Sequence, residues 1–114
     1  MISLELIKEV GNAIDNKKGM DISIIDISNL SSFADYFINA TAANARMIDA
    51  IQDEVEKIFA KDNIVVKSVE GKAASGWVLS DYGDVIVNVF LPDQREKYQI
   101  DKIWSDGEFI EFDS

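Results

Sequence analysis

Neither histidine nor cysteine occurs in the 114-residue chain, and proline occurs once. Without a thiol or an imidazole there is no cysteine nucleophile, no Ser-His-Asp triad, no zinc finger and no haem ligation, so any metal would need an all-oxygen site. No disulfide framework marks the chain as secreted. Its opening Met1-Ile2-Ser3-Leu4-Glu5 lacks the basic-then-apolar layout of a signal peptide, and the cytoplasm is the expected compartment. Apolar runs all fall short of the ~20 residues that a membrane-spanning helix requires, so no membrane partner is expected. Basic side chains are also scarce, 11 against 21 acidic ones, for a net charge of -10. Such a surface repels phosphate backbones, which argues against direct nucleic-acid binding, and it favours encounter with basic proteins.

What the chain has in quantity is branched apolar residues. Ile, Leu, Val and Phe make up 36 of the 114 positions, enough for one small domain to bury a core. Leu4, Ile7, Val10 and Ile14 predict a helix from Ser3 to about Lys17, with Gly11 as a weak point and Lys17-Lys18-Gly19 as its stop. Met20 to Ser28 reads as a strand covered on both sides, Asn29 to Ser32 as a turn, and Tyr36 to Ala40 as a second strand. Asn44 is a good N-cap for a helix reaching Lys61, in which Met47, Ile48, Ile51, Val55, Ile58 and Phe59 recur every three or four residues. Ile64 to Val69 reads as a third strand and Glu70 to Gly76 as a loop. Trp77–Ser80 and Val85–Phe90 then form a hairpin around Asp81-Tyr82-Gly83-Asp84. Pro92 suits the first turn of a helix whose apolar side is Tyr98, Ile100, Ile103 and Trp104. The expected architecture is α/β, a mixed sheet of about five strands with helices packed on it. Residues 1–106 form the domain, followed by an acidic tail, 107–114, either frayed or docked.

Few residues offer chemistry. Asp81 and Asp84 flank a turn closely enough to share a cation, but Asp also starts turns by accepting from backbone N–H groups, which is the stronger reading. Gly71 and Gly76 lead into a strand rather than a helix, so they make no phosphate cradle. Ser31-Ser32 before Asp35 only faintly echoes a nucleotidyltransferase and lacks its Gly. Trp77 fits either core or interface. Tyr82, at the expected turn tip, has little to pack against within the chain and so suggests a partner.

Ala34-Asp35-Tyr36-Phe37-Ile38-Asn39-Ala40-Thr41, Glu70-Gly71, and the run from Gly76-Trp77-Val78-Leu79-Ser80-Asp81-Tyr82-Gly83-Asp84 to Phe90 together resemble the Iojap family, whose bacterial members are ribosomal silencing factors. The resemblance continues through Arg95, Tyr98 and Ile103-Trp104-Ser105-Asp106, so it spans Lys17 to Asp106. It implies a fold related to nucleotidyltransferases without their catalytic residues, no enzymatic activity and no cofactor. It also implies a partner, the large ribosomal subunit, met through its fourteenth ribosomal protein, and a steric block to subunit joining when nutrients run short. On that resemblance the partner face comprises Trp77, Leu79, Asp81, Tyr82 and Asp84, with Ala34, Asp35 and Tyr36 beside them. The family often has His where this chain has Asn88, and a Gly-Xaa-Ser-Xaa-Arg-Gln run where it has Ala42 to Met47. Two rivals stay open: a magnesium-dependent nucleotidyltransferase-like enzyme using Asp81 and Asp84, and a homodimeric scaffold, the homodimer also being compatible with a silencing factor off the ribosome.

Overall fold

Two amphipathic helices form where the apolar spacing predicts them, and each is capped by the expected side chain. In the computed structural model, which describes residues 2–112, α1 runs Leu4–Asn16, and Ser3 Oγ accepts from the Leu6 N–H at 3.2 Å. Helix α2 runs Ala45–Lys61, and Asn44 Oδ1 accepts from the Met47 N–H at 3.0 Å. Each cap satisfies one of the N–H groups that a helix start leaves without an internal partner. The strands are β1 (Met20–Asp26), β2 (Tyr36–Thr41), β3 (Ser68–Lys72), β4 (Trp77–Asp81), β5 (Val85–Phe90) and β6 (Glu108–Phe109). A 3₁₀ turn, Ala73–Ser75, joins β3 to β4. Two short helices, α3 (Pro92–Tyr98) and α4 (Ile100–Ile103), follow β5.

These strands make one six-stranded sheet in the order β3-β4-β5-β2-β1-β6. Only β2 and β5 pair in parallel, and the chain travels between them through α2 and the β3–β4 hairpin. The sheet is therefore mixed, as expected. Helices α1 and α2 cover one face, where Ile7, Val10 and Ile14 of α1 and Ile48, Ile51 and Phe59 of α2 meet Ile24, Ile38, Val87 and Val89. Each such side chain, fully removed from water, contributes about 1.5–3 kcal/mol before the cost of ordering it. On the second face a smaller cluster of Ile25, Ile27, Ala34, Phe37 and Ile86 lies under Ile100 and Trp104.

Three elements differ from their expected form. The third strand is displaced from 64–69 to Ser68–Lys72, because Ile64 and Val66 turn onto the core as a loop while Val65 stays 75% exposed. Glu70 and Gly71, expected in a loop, instead pair with Leu79 and Val78. The helix after Pro92 breaks at Gln99, whose φ of 45° lies in the left-handed region, giving two short helices in place of one. The third difference raises the strand number from about five to six: the tail docks. Glu108 and Phe109 pair with Asp26 and Ile25, and the Ile110 N–H donates to the Ile24 carbonyl at 2.8 Å. Gly11 makes this docking fit. A Cβ there would lie 2.9 Å from Ile24 Cδ1 and 3.0 Å from the Phe112 ring, so α1 carries glycine where the tail crosses it.

Candidate partner-binding face

Side chains alternate between the two faces of a strand, and the register fixes which ones lie side by side. On the second face three rows cross the sheet. One contains Thr41, Phe90, Trp77 and Lys72; the next Ser23, Asn39, Asn88, Leu79 and Glu70; the third Phe109, Ile25, Phe37, Ile86, Asp81 and Ser68. Tyr98 of α3, together with α4 and Trp104, covers part of these rows. Tyr98 packs on Trp77 with ring centroids 4.5 Å apart, and Trp104 packs on Phe37 at 5.3 Å. On the outer part of this face, Ser68, Glu70 and Lys72 of β3 are exposed, while Trp77, Leu79 and Asp81 of β4 are half-buried. Glu70, Gly71, Trp77 and Leu79 line a shallow hollow of about 280 Å³ there.

The structure divides the expected site residues. Trp77, Leu79 and Asp81 share the open face. Tyr82 does not join them, and its expected exposure at a turn tip is overturned: it is 4% exposed, and its ring lies 4.3 Å from that of Phe59 beneath α2. The reason is parity. Val78 and Ser80 point towards the helices, and Tyr82, two residues further on, continues their side, held by its N–H donating to the Val85 carbonyl at 2.9 Å. Its hydroxyl has no hydrogen-bond partner among the described residues. Burial, with Glu56 adding to it, pushes that hydroxyl far above the usual phenol range.

Ala34 is buried too, at 5% exposure, within the second cluster. Tyr36 packs against the helix-side core; burial first, then the carboxylates of Asp26, Asp35 and Glu108, raise its hydroxyl above the ordinary value. Asp35 and Asp84 stand at adjacent strand ends, tied by the Asp35 N–H donating to the Asp84 carbonyl at 2.8 Å, and the Asp84 side chain is exposed. Asp81 Oδ1 accepts from the Gly83 N–H at 2.7 Å, the turn-starting role weighed for it, and Gly83 takes a φ of 94° that its lack of a Cβ permits. Among the described residues no three carboxylates gather as a metal-binding group. A cavity of about 740 Å³ between the start of α1 and the end of α2 is lined by Lys61 and Lys67 together with Asp62 and Asp84, with no uniform charge to select a ligand.

Two features were not anticipated. Phe33, 61% exposed, leans on Phe37 and Trp104 at 6.3 and 6.2 Å and extends the aromatic surface past α4. Beneath α3 a polar row crosses the sheet. The Trp77 Nε1–H donates to Asn88 Oδ1 at 3.0 Å, Asn88 Nδ2 to Asn39 Oδ1 at 3.1 Å, and Asn39 Nδ2 to Ser23 Oγ at 3.3 Å. Arg95 closes the row, donating to Thr41 Oγ1 at 3.1 Å and to Ser23 Oγ at 3.5 Å. A polar residue at the same place in two otherwise apolar strands was the available signal for the Asn39–Asn88 pair.

An α/β domain with a partly covered aromatic face and an acidic rim has the make-up of a protein-binding module. Residues 2–114 match the family described as "Ribosomal silencing factor during starvation", and the chain belongs to that family. It is 33% identical over 113 residues to the ribosomal silencing factor RsfS of Halalkalibacterium halodurans, a match covering 99% of this chain and 97% of the relative. A crystal structure of a Chromobacterium violaceum protein superposes with a TM-score of 0.85 at 32% identity, covering 100% of this chain and 94% of that one. A more distant relative, 28% identical over 89 residues, is the mouse protein named mitochondrial assembly of ribosomal large subunit protein 1; the match covers 75% of this chain and 39% of the mouse protein. The family name describes a regulatory rather than a catalytic role.

Proposed function

We propose that this domain represses translation in the cytoplasm by steric block. It docks on the large ribosomal subunit through the fourteenth ribosomal protein, and its bulk occupies space that the small subunit needs. The reading rests on family membership and is supported by the mouse relative's name, which refers to the large subunit. The observation that carries it to particular residues is a half-buried tryptophan on the open part of the second face, with Leu79 beside it and acidic residues around it.

Trp77 and Leu79 supply apolar burial, and Asp81, Glu70, Asp35 and Asp84 supply charge opposite to that of a basic ribosomal protein. Ala34, Tyr36 and Tyr82, expected as contacts, act from beneath: they pack the strand ends and the turn that carry Asp35, Asp81 and Asp84. A chain with net charge -10 gains nothing from ribosomal RNA, so binding stays on the protein patch.

The test is co-sedimentation with purified large subunits, followed by subunit joining on a gradient. Wild type is expected to co-migrate and to reduce joined ribosomes. Trp77→Ala, with its fold checked by thermal melting, loses about 2 kcal/mol of binding, roughly 30-fold in Kd. A Trp77→Ala variant that binds and blocks like wild type would put the partner face elsewhere.

A further inference from the structure

The polar row under α3 starts at the residue that the proposed function uses most, and its direction is dictated by chemistry. An indole N–H only donates, so Asn88 must offer it Oδ1, which sends the Asn88 Nδ2 towards Asn39. Asn39 must in turn present Oδ1 and direct its own Nδ2 to Ser23. At the far end Arg95, which also only donates, reaches the same Ser23 Oγ. Asn39 and Asn88 are 0% exposed, so flipping either amide would set buried donors against each other with no water to relieve them. Phe90 lies 5.1 Å from the Trp77 ring at an interplanar angle of 26°, and Tyr98 packs on the same ring.

We propose that Asn88, backed by Asn39, is a positioning residue for partner binding: the amide row holds the Trp77 indole in its binding orientation before the partner arrives. This rests on the reading that Trp77 lies at the partner face. Two aromatic contacts restrict the ring, and the hydrogen bond selects one orientation within that space, so less side-chain freedom is lost on docking. The row also spans β1, β2, β5 and β4, tying the tryptophan to the centre of the sheet rather than to its edge.

The test compares wild type, Trp77→Ala, Asn88→Leu and Asn88→His for binding to the purified fourteenth large-subunit protein at pH 8 and pH 5.5. Melting and the indole N–H resonances are recorded alongside. The chain has two tryptophans, so the Trp77 and Trp104 signals can be told apart. Asn88→Leu removes the acceptor and is expected to shift the Trp77 resonance alone and to weaken binding roughly five- to tenfold, the worth of one hydrogen bond. A neutral imidazole can accept from the indole through one nitrogen and donate to Asn39 through the other, so Asn88→His binds like wild type at pH 8. Protonation leaves it two donors and no acceptor, so its affinity falls towards that of Asn88→Leu once the imidazole is charged; burial holds the ring neutral to below its unperturbed value of about 6.5, and its own ring-proton resonances, followed down the pH series, report when it is protonated. Wild type, which has no histidine, reports any pH dependence of the partner. Should Asn88→Leu fail to fold, the pH response of Asn88→His carries the test alone. The inference is overturned if Trp77→Ala weakens binding while Asn88→Leu does not, or if Asn88→His binds like wild type in both its neutral and its protonated form. If Trp77→Ala itself binds normally, the partner face is misassigned and the positioning role falls with it.

Discussion

Replacing Tyr82 by phenylalanine is expected to stabilise the fold. The ring's packing on Phe59 survives the change, and the only group removed is a hydroxyl that is buried with no hydrogen-bond partner among the described residues. A buried hydroxyl without a partner costs about 1–3 kcal/mol relative to its hydrated state; allowing for partial relaxation, Tyr82→Phe gains about 1 kcal/mol at pH 7. In a domain of this size that raises Tm by roughly 4–8 °C. Alkaline pH provides an independent arm. The folded state holds the Tyr82 proton more tightly than the unfolded chain does, so the stability contributed by the raised pKa is fully present below pH 10 and is lost as the pH rises towards the folded-state value. At pH 11 the unfolded wild type gains about 1.4 kcal/mol by deprotonating Tyr82, which the phenylalanine variant does not. Urea melts of both proteins at pH 7 and pH 11 would therefore separate by about 1 and about 2.4 kcal/mol respectively. Contributions common to both proteins cancel in that difference. A variant less stable than wild type at pH 7 would mean that the hydroxyl makes a stabilising hydrogen bond, and a gap that stays constant between the two pH values would mean that Tyr82 ionises as readily in the folded state as in the unfolded one; either result would refute the account of Tyr82.

Gly11→Ala sets helix propensity, worth about 1 kcal/mol in favour of alanine, against the ring of Phe112 and the tip of Ile24. The expected result is a global stability within about 1 kcal/mol of wild type but faster hydrogen exchange at the Ile110 amide, because the tail must move out to admit the methyl group; unchanged exchange there would refute the close approach. Asn44→Ala removes the side chain that accepts from the Met47 N–H and is expected to cost about 1 kcal/mol in a urea melt, with no effect on partner binding. A binding defect in that variant would extend the partner surface onto the start of α2.

The helices were legible because their information is local. Apolar residues at three- and four-residue spacing, with Ser3 and Asn44 as caps, leave little alternative to α1 and α2. Strand β5, six buried residues long, was legible for the same reason. The rest depended on pairing. Edge strand β3 reads Ser-Val-Glu-Gly-Lys, without an apolar alternation, and becomes a strand because β4 lies beside it. Strand β6 is two residues long and exists through the edge that β1 offers it. The Asn39–Asn88 bond joins residues 49 apart, brought level by the parallel register of β2 and β5, which no local pattern encodes.

The candidate site shows the same division within a single motif. The run Trp77 to Asp84 was read as one surface, yet strand geometry sends Trp77, Leu79 and Asp81 one way and Val78, Ser80 and Tyr82 the other. One stretch therefore does two jobs. On the proposed reading its first set of side chains meets the partner, while its second set, with Tyr82 against Phe59 under α2, fastens the strand to the helix layer. A change at Tyr82 that weakened partner binding would do so by loosening that attachment, and a loss of melting temperature would accompany it. A change at Trp77 also removes the ring's packing on Phe90 and Tyr98 and its bond to Asn88, so it lowers stability as well, but on the proposed reading its loss of binding exceeds what that loss of stability accounts for. Measuring stability and binding together for substitutions along this strand thus separates the two faces residue by residue, and the alternation of the two effects with a period of two is the outcome that the register requires.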